Sequence, residues 1–256
     1  MKYKIAVLVW IGTLFLLSVP AFGVEDVSAN ITRANELYHE KNYAAAAEIY
    51  QSLAKDKLEN GYLYYNLGNT HMRLGETGKA ILNYLRAKTL LPRDENLDAN
   101  LRYAIRQTQD QLEPPQQGLL ADILFWGQSM NVDEHLQLLI LFNAVFWLVS
   151  LGKLFYRKPV WSLLSKCSLG FLVLMTVSAG VQISIQNGNK TSVVLEKQVD
   201  IKSDQGVTNV TLFQLHEGAI VSVLQESGDW AQISLGPDKA GWLPRNTIVS
   251  IKKTGV

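Results

Sequence analysis

The residues of this 256-residue chain that could do chemistry are few and scattered. His216-Glu217 begins like a zinc-peptidase motif, but no histidine comes after it at the spacing that would set two imidazoles on one helical face. The four histidines, His39, His71, His135 and His216, fall in three different stretches and form no obvious ligand cluster. The only cysteine, Cys167, lies inside an apolar run, which leaves no disulfide framework, no paired-cysteine metal site and no lipid anchor near the start. A glycine-rich phosphate loop ending in Lys-Ser or Lys-Thr is absent, and so is a Gly-x-Ser-x-Gly elbow. The expectation is a protein that is not an enzyme, with no catalytic residue, no bound cofactor and no metal.

What remains is binding chemistry, which needs a scaffold. Charged residues make up only 18% of the chain, against about 25% in ordinary globular domains. The deficit is concentrated in three charge-free runs, Ile5–Val24, Leu136–Gly152 and Cys167–Asn189, of 20, 17 and 23 residues. A membrane-spanning helix needs about 20. The net charge of +1 provides no field to recruit nucleic acid.

The first run reads as a signal peptide over residues 1–23. Lys2 and Lys4 precede the apolar stretch, Pro20 breaks it, and Ala21-Phe22-Gly23 sets small residues at a cleavage site. The rival is an uncleaved anchor. Either one places the residues after Gly23 outside the cytoplasm. The other two runs predict transmembrane helices over 136–156 and 166–186, joined by a cytoplasmic loop over 157–165. Lys153, Arg157, Lys158 and Lys166 lie around that loop with no acidic residue among them. The positive-inside rule then puts the polar segments on both sides of the hairpin outside the cytoplasm.

A 34-residue repeat occupies residues 24–112: Ala34 and Gly68, Asn35 and Asn69, Ala46 and Ala80, and Tyr50 and Tyr84 are all one period apart. The second copy runs Tyr64, Leu67, Gly68, Ala80, Tyr84, Ala87, Pro92. This resembles the tetratricopeptide pattern, with repeats over about 27–60 and 61–94 and a cap helix over 95–112. The resemblance implies an all-α solenoid with one concave face. Asn35, Tyr38, Tyr62, Tyr65, Asn69 and Arg73 are the candidate protein-binding residues on it. Asn35 and Asn66 are placed like the asparagines of a peptide-carboxylate clamp, but the basic partners of such a clamp are missing. A plain structural spacer is the bland alternative.

Residues 113–135, with Pro114-Pro115 and Trp126, read as a linker and interfacial segment. From residue 190 the texture becomes that of strands: short β-branched runs at period two, broken by Glu217-Gly218, Ser227-Gly228-Asp229 and Gly236-Pro237-Asp238. With Gly241-Trp242-Leu243-Pro244 these words resemble bacterial SH3-like domains, which implies a small all-β barrel over 190–256. Trp230 and Trp242 are then core residues or, as the second reading, a ligand surface. Such domains often accompany cysteine peptidases, but here the one cysteine is in an apolar run.

The fold class expected is thus a multidomain membrane protein: a tetratricopeptide solenoid, a two-helix transmembrane hairpin and an SH3-like barrel. That order of modules resembles the BatE family of the bacterial aerotolerance operon. The resemblance implies an inner-membrane scaffold with both modules in the periplasm. It would act beside von Willebrand A-domain membrane proteins and a MoxR-type ATPase, in oxidative or envelope stress. Two alternatives are a cell-wall sensor whose barrel binds peptidoglycan and an accessory subunit of a membrane enzyme.

Overall fold

The structure is a computed structural model that describes residues 24–55, 60–112, 126, 129–156, 158–188, 190–206, 208–236 and 239–252. The signal peptide and most of the linker expected from the sequence lie outside those residues. Among the described residues five helices come first: α1 (Val24–His39), α2 (Tyr43–Lys55), α3 (Gly61–Leu74), α4 (Thr77–Leu90) and α5 (Glu95–Gln107). Two long helices come next, α6 (Val132–Phe155) and α7 (Pro159–Gly188). Seven strands end the chain: β1 (Thr191–Val194), β2 (Gln198–Lys202), β3 (Thr211–His216), β4 (Ile220–Ser227), β5 (Trp230–Gly236), β6 (Lys239–Pro244) and β7 (Ile248–Ser250).

Local chemistry sets the helix ends. Asn60 caps α3 by accepting from the backbone N–H groups of Tyr62 and Leu63, and Gly75 ends it at φ +76°. Asp94 caps α5 through the N–H of Leu97. Successive helices pack as antiparallel neighbours, and small residues set their spacing. Ala34, Ala46, Ala80 and Ala87 are fully buried. A Cβ on Gly68 would lie 2.6 Å from the Tyr84 ring. One contact recurs at the repeat period: Tyr50 Oη donates to Asn35 Oδ1 at 2.6 Å, and Tyr84 Oη to Asn69 Oδ1 at 2.8 Å. Burial pushes the Tyr50 hydroxyl up to about 12, with a further push from Tyr38, so it stays a donor.

The turn between α3 and α4 holds a buried imidazole. His71 Nδ1 lies 2.6 Å from Glu76 Oε2, and its Nε2 lies 3.3 Å from Gln51 Nε2. Desolvation holds the imidazole below its ordinary value of 6.5, and the Glu76 carboxylate only partly offsets this. The unfolded chain therefore takes up the proton first as the pH falls. Stability from this site is fully present above about pH 6.5 and declines below it. Thermal melts at pH 7 and pH 5 should show a larger drop for the wild-type chain than for His71→Gln; equal drops would contradict the assignment.

Helices α6 and α7 are long and apolar enough to cross a membrane. They pack against each other through Phe142 stacked on Phe171 and through Trp161 covering Gly152. A capping box of Asn131 and Glu134 starts α6. Helix α7 begins at Pro159, seven residues before the span expected at Lys166, so most of the loop expected over 157–165 is helical. Proline suits the first position of a helix, where its missing N–H costs nothing.

The strands form one antiparallel sheet in the order β3-β2-β6-β5-β4-β1-β7. The closed barrel expected from the sequence is corrected here, because β3 and β7 are separate edges. At the β7 end the neighbour is helix α4, whose Arg86 donates to the carbonyls of Ser250 and Ile251. Val193, Ile220, Val249 and Ile251 join the core of the helices, whereas Val194, Val199, Val221, Ile233 and Leu243 form the sheet's own core. Strand β1 is buried on both faces, and its alternate side chains serve the two cores.

Candidate functional site

Helices α1, α3 and α5 lie side by side, and the residues joining them define the inner face. Asn66 Nδ2 donates to Asn35 Oδ1 at 3.3 Å, which ties α3 to α1. Asn100 Nδ2 donates to Asn69 Oδ1 and to Tyr65 Oη, both at 2.9 Å, which ties α5 to α3. The Arg73 guanidinium reaches the Tyr38 hydroxyl at 3.5 Å, and Tyr38 packs edge-on against Tyr43. The six candidate residues thus divide. Asn35 and Asn69 are half-buried, and their carbonyl oxygens accept from the core tyrosines and neighbouring amides. Tyr38 and Tyr65 present half-buried rings, while Arg73 and Tyr62 are exposed. Tyr62 stands apart at the start of α3. There it lines a cavity of about 330 Å³ with Leu91, Pro92, Arg93, Asn131 and Glu134.

Two other sides of the helical module are occupied by the rest of the chain. At its lower edge Arg93 donates to the Ser129 carbonyl and pairs with Glu134, and Asn131 Nδ2 donates to the Leu90 carbonyl at 2.9 Å. Along α4 the sheet docks directly. Glu217 Oε1 accepts from the backbone N–H of Gly78 at 2.8 Å. It thereby serves the first turn of α4, whose own Glu76 makes no side-chain cap. Arg86 donates from Nε to the Ile251 carbonyl at 3.1 Å and from Nη2 to the Ser250 carbonyl at 3.0 Å. Burial lowers its guanidinium from the ordinary value, and among the described residues no carboxylate pairs with it. Asp110 accepts from the backbone N–H of His216 at 2.7 Å and faces its Nδ1 at 3.0 Å.

His216 and Glu217, unassigned in the sequence, are therefore docking residues. No local pattern marks them, since their partners lie 106 and 139 positions away. Truncating Arg86 should expose the joint. Arg86→Met leaves two carbonyls without their charged donor, each such bond being worth about 1.5–3 kcal/mol. The amides of β7 should then exchange with solvent at least tenfold faster, and unchanged protection would mean that the strand is held by its apolar contacts alone.

In the sheet, Trp242 is 7% exposed and Trp230 half-buried, so Trp242 offers little ring to a ligand. Among the described residues no three His, Cys, Asp or Glu side chains converge as a metal site would require. Cys167 is exposed on α7.

The chain matches no protein-family model and no curated protein. Two solved structures are similar in part. One is a type III secretion system complex from Aeromonas hydrophila, at 14% identity and TM-score 0.32, covering 60% of this chain and 83% of that one. The other is PcrH in complex with the chaperone-binding region of PopD, at 12% identity and TM-score 0.33, covering 62% and 98%. Scores this low carry no argument about fold or function.

Proposed function

We propose that the chain is a non-enzymatic scaffold of the bacterial inner membrane, whose two polar modules stand in the periplasm and hold partner proteins. In this reading the helices are tetratricopeptide repeats and the sheet is an SH3-like module left open. Helices α6 and α7 are the membrane hairpin, and the whole is a BatE-type component of an aerotolerance complex. The partners are membrane proteins with von Willebrand A domains and the MoxR-type ATPase system that accompanies them. The repeat reading is supported by the Asn–Tyr hydrogen bond that recurs one period apart. The SH3-like reading rests on two glycine turns at positive φ, Gly228 between the paired strands β4 and β5 and Gly218 where the chain passes from β3 to β4.

The single observation that carries the proposal is the docking of the sheet on α4. Modules that share a hydrogen-bonded interface lie on one side of any membrane, which fits a pair of intervening helices that crosses and returns. The lower edge and the α4 side are both covered, whereas the inner face of α1, α3 and α5 is open to a partner among the described residues. In the sequence, Lys153, Arg157, Lys158 and Lys166 cluster around the segment that joins the two apolar runs, which favours the cytoplasm for that end. Topology is the test. Alkaline phosphatase fused after Val256 should be active and fused after Lys158 inactive. The opposite pattern would overturn the proposal.

A further inference from the structure

Helix α6 carries an amide where a lipid-facing helix should have none. Asn143 is the twelfth of its 24 residues, the middle of the apolar segment, and it is exposed. The face toward α7 is occupied by Phe142 and Gly152, so Asn143, one residue past Phe142, points about 100° away from that contact. Among the described residues neither its amide nor the Trp147 indole N–H one turn later has a hydrogen-bond partner. In hydrocarbon such groups are costly unless another protein surface supplies the missing bonds.

The surroundings of Asn143 are those of a helix–helix seam. Leu136, Ile140, Asn143, Trp147, Ser150 and Leu154 succeed one another at spacings of four, three, four, three and four. This is the heptad spacing that left-handed helix pairs use, in which one buried asparagine fixes the register. Leu136, Ile140, Trp147 and Leu154 are 41%, 67%, 47% and 66% exposed, so among the described residues nothing covers these four.

We infer that this face of α6 is a self-association seam and that its occupant is α6 of a second copy, with the two Asn143 amides hydrogen-bonded to each other across a two-fold axis. The inference rests on the membrane-spanning reading. The choice of occupant comes from hydrogen-bond complementarity. An asparagine amide carries both donors and an acceptor, so two copies satisfy each other reciprocally. Two copies inserted in the same orientation bring Asn143 to equal depth without any further adjustment. The contact is the same patch on both chains, as a two-fold pair requires, and no charge lies on the row to repel its own copy.

The test uses the full chain with Cys167→Ser, in native membranes, carrying single cysteines for disulfide trapping. Ile140→Cys and Trp147→Cys should trap a dimer. Leu141→Cys and Leu148→Cys are also exposed, at 54% and 67%, but lie on the other side of α6 and should not. In the cysteine-free chain reconstituted in bilayers, Asn143→Leu should weaken dimerisation about tenfold, while Asn143→Gln, which keeps the amide, retains most of it. Equal trapping on both faces overturns the seam. So does a monomer that resists carbonate extraction, and that result leaves the membrane reading standing. Release of the wild-type chain by carbonate overturns the membrane reading itself. A monomeric chain that loses a different membrane protein on Asn143→Leu overturns the second copy as occupant.

Discussion

Gly68→Leu should be the most damaging single substitution in the helical module. Even Gly68→Ala tests the point, because two effects of known size oppose each other there. Alanine is the better helix former by about 1 kcal/mol. Its Cβ, however, would stand 2.6 Å from Cδ1 and Cε1 of Tyr84. That ring cannot move aside cheaply: it is 1% exposed, and its hydroxyl is bonded to Asn69. Overpacking of a tight core costs about 1–3 kcal/mol, so the clash offsets or outweighs the propensity gain and the net change for alanine is a loss of about 0–2 kcal/mol. Leucine adds three more carbons to the same space and should cost more than about 3 kcal/mol. Denaturant melts monitored by the helical signal measure both. A stabilised Gly68→Ala would mean that α3 and α4 do not approach as closely as described.

The second large effect is expected at the joint between modules. Gly218 has φ +88°, and a Cβ there would lie 2.5 Å from Thr108 Cγ2 and 3.0 Å from Ile81 Cδ1. Gly218→Val therefore suffers twice, from a backbone conformation that β-branched residues avoid and from overlap with the end of α5 and the middle of α4. The strained φ alone costs about 1–2 kcal/mol. Undocking should result, and the Gly78 amide, which donates to Glu217, is its reporter. Its hydrogen exchange should accelerate at least tenfold in Gly218→Val, and Thr108→Ala in the same chain should recover part of the protection. Full protection in the single variant would mean that the sheet docks without this turn.

Several levels of this molecule were readable from residue order. The 34-residue period located the helix pairs because close packing needs small residues at fixed places, and Gly68, Ala80 and Ala87 supply them. The charge-free runs located α6 and α7. Residue order alone does not separate function from packing where both use the same residue types. Asn35 and Asn69 look like surface amides, yet their oxygens hold Tyr50 and Tyr84. Trp242, read as a core residue first and a ligand surface second, is buried. The open edge of the sheet and its docking on α4 had no local signature, because Arg86, Asp110 and Glu217 find their partners through the fold. The seventh strand, Ile248–Ser250, is three residues long and too short for a period to show. Asn143 was in plain sight as an uncharged polar residue; a search for charges alone passes over it.

The central claim is that the inner face of α1, α3 and α5 holds the partner. It is tested most directly by covalent capture in intact membranes with the full-length chain. Tyr65→Ala combined with Arg73→Ala removes one half-buried ring and one exposed cation from that face. Each anchor of this kind typically contributes about 2 kcal/mol, roughly thirtyfold in affinity. Trp230→Ala alters the sheet surface instead. The account predicts that the cross-linked partner disappears from the double variant, whose melting temperature stays within a few degrees of wild type, and persists in Trp230→Ala. Loss of the partner from Trp230→Ala, with full capture by the double variant, would contradict it.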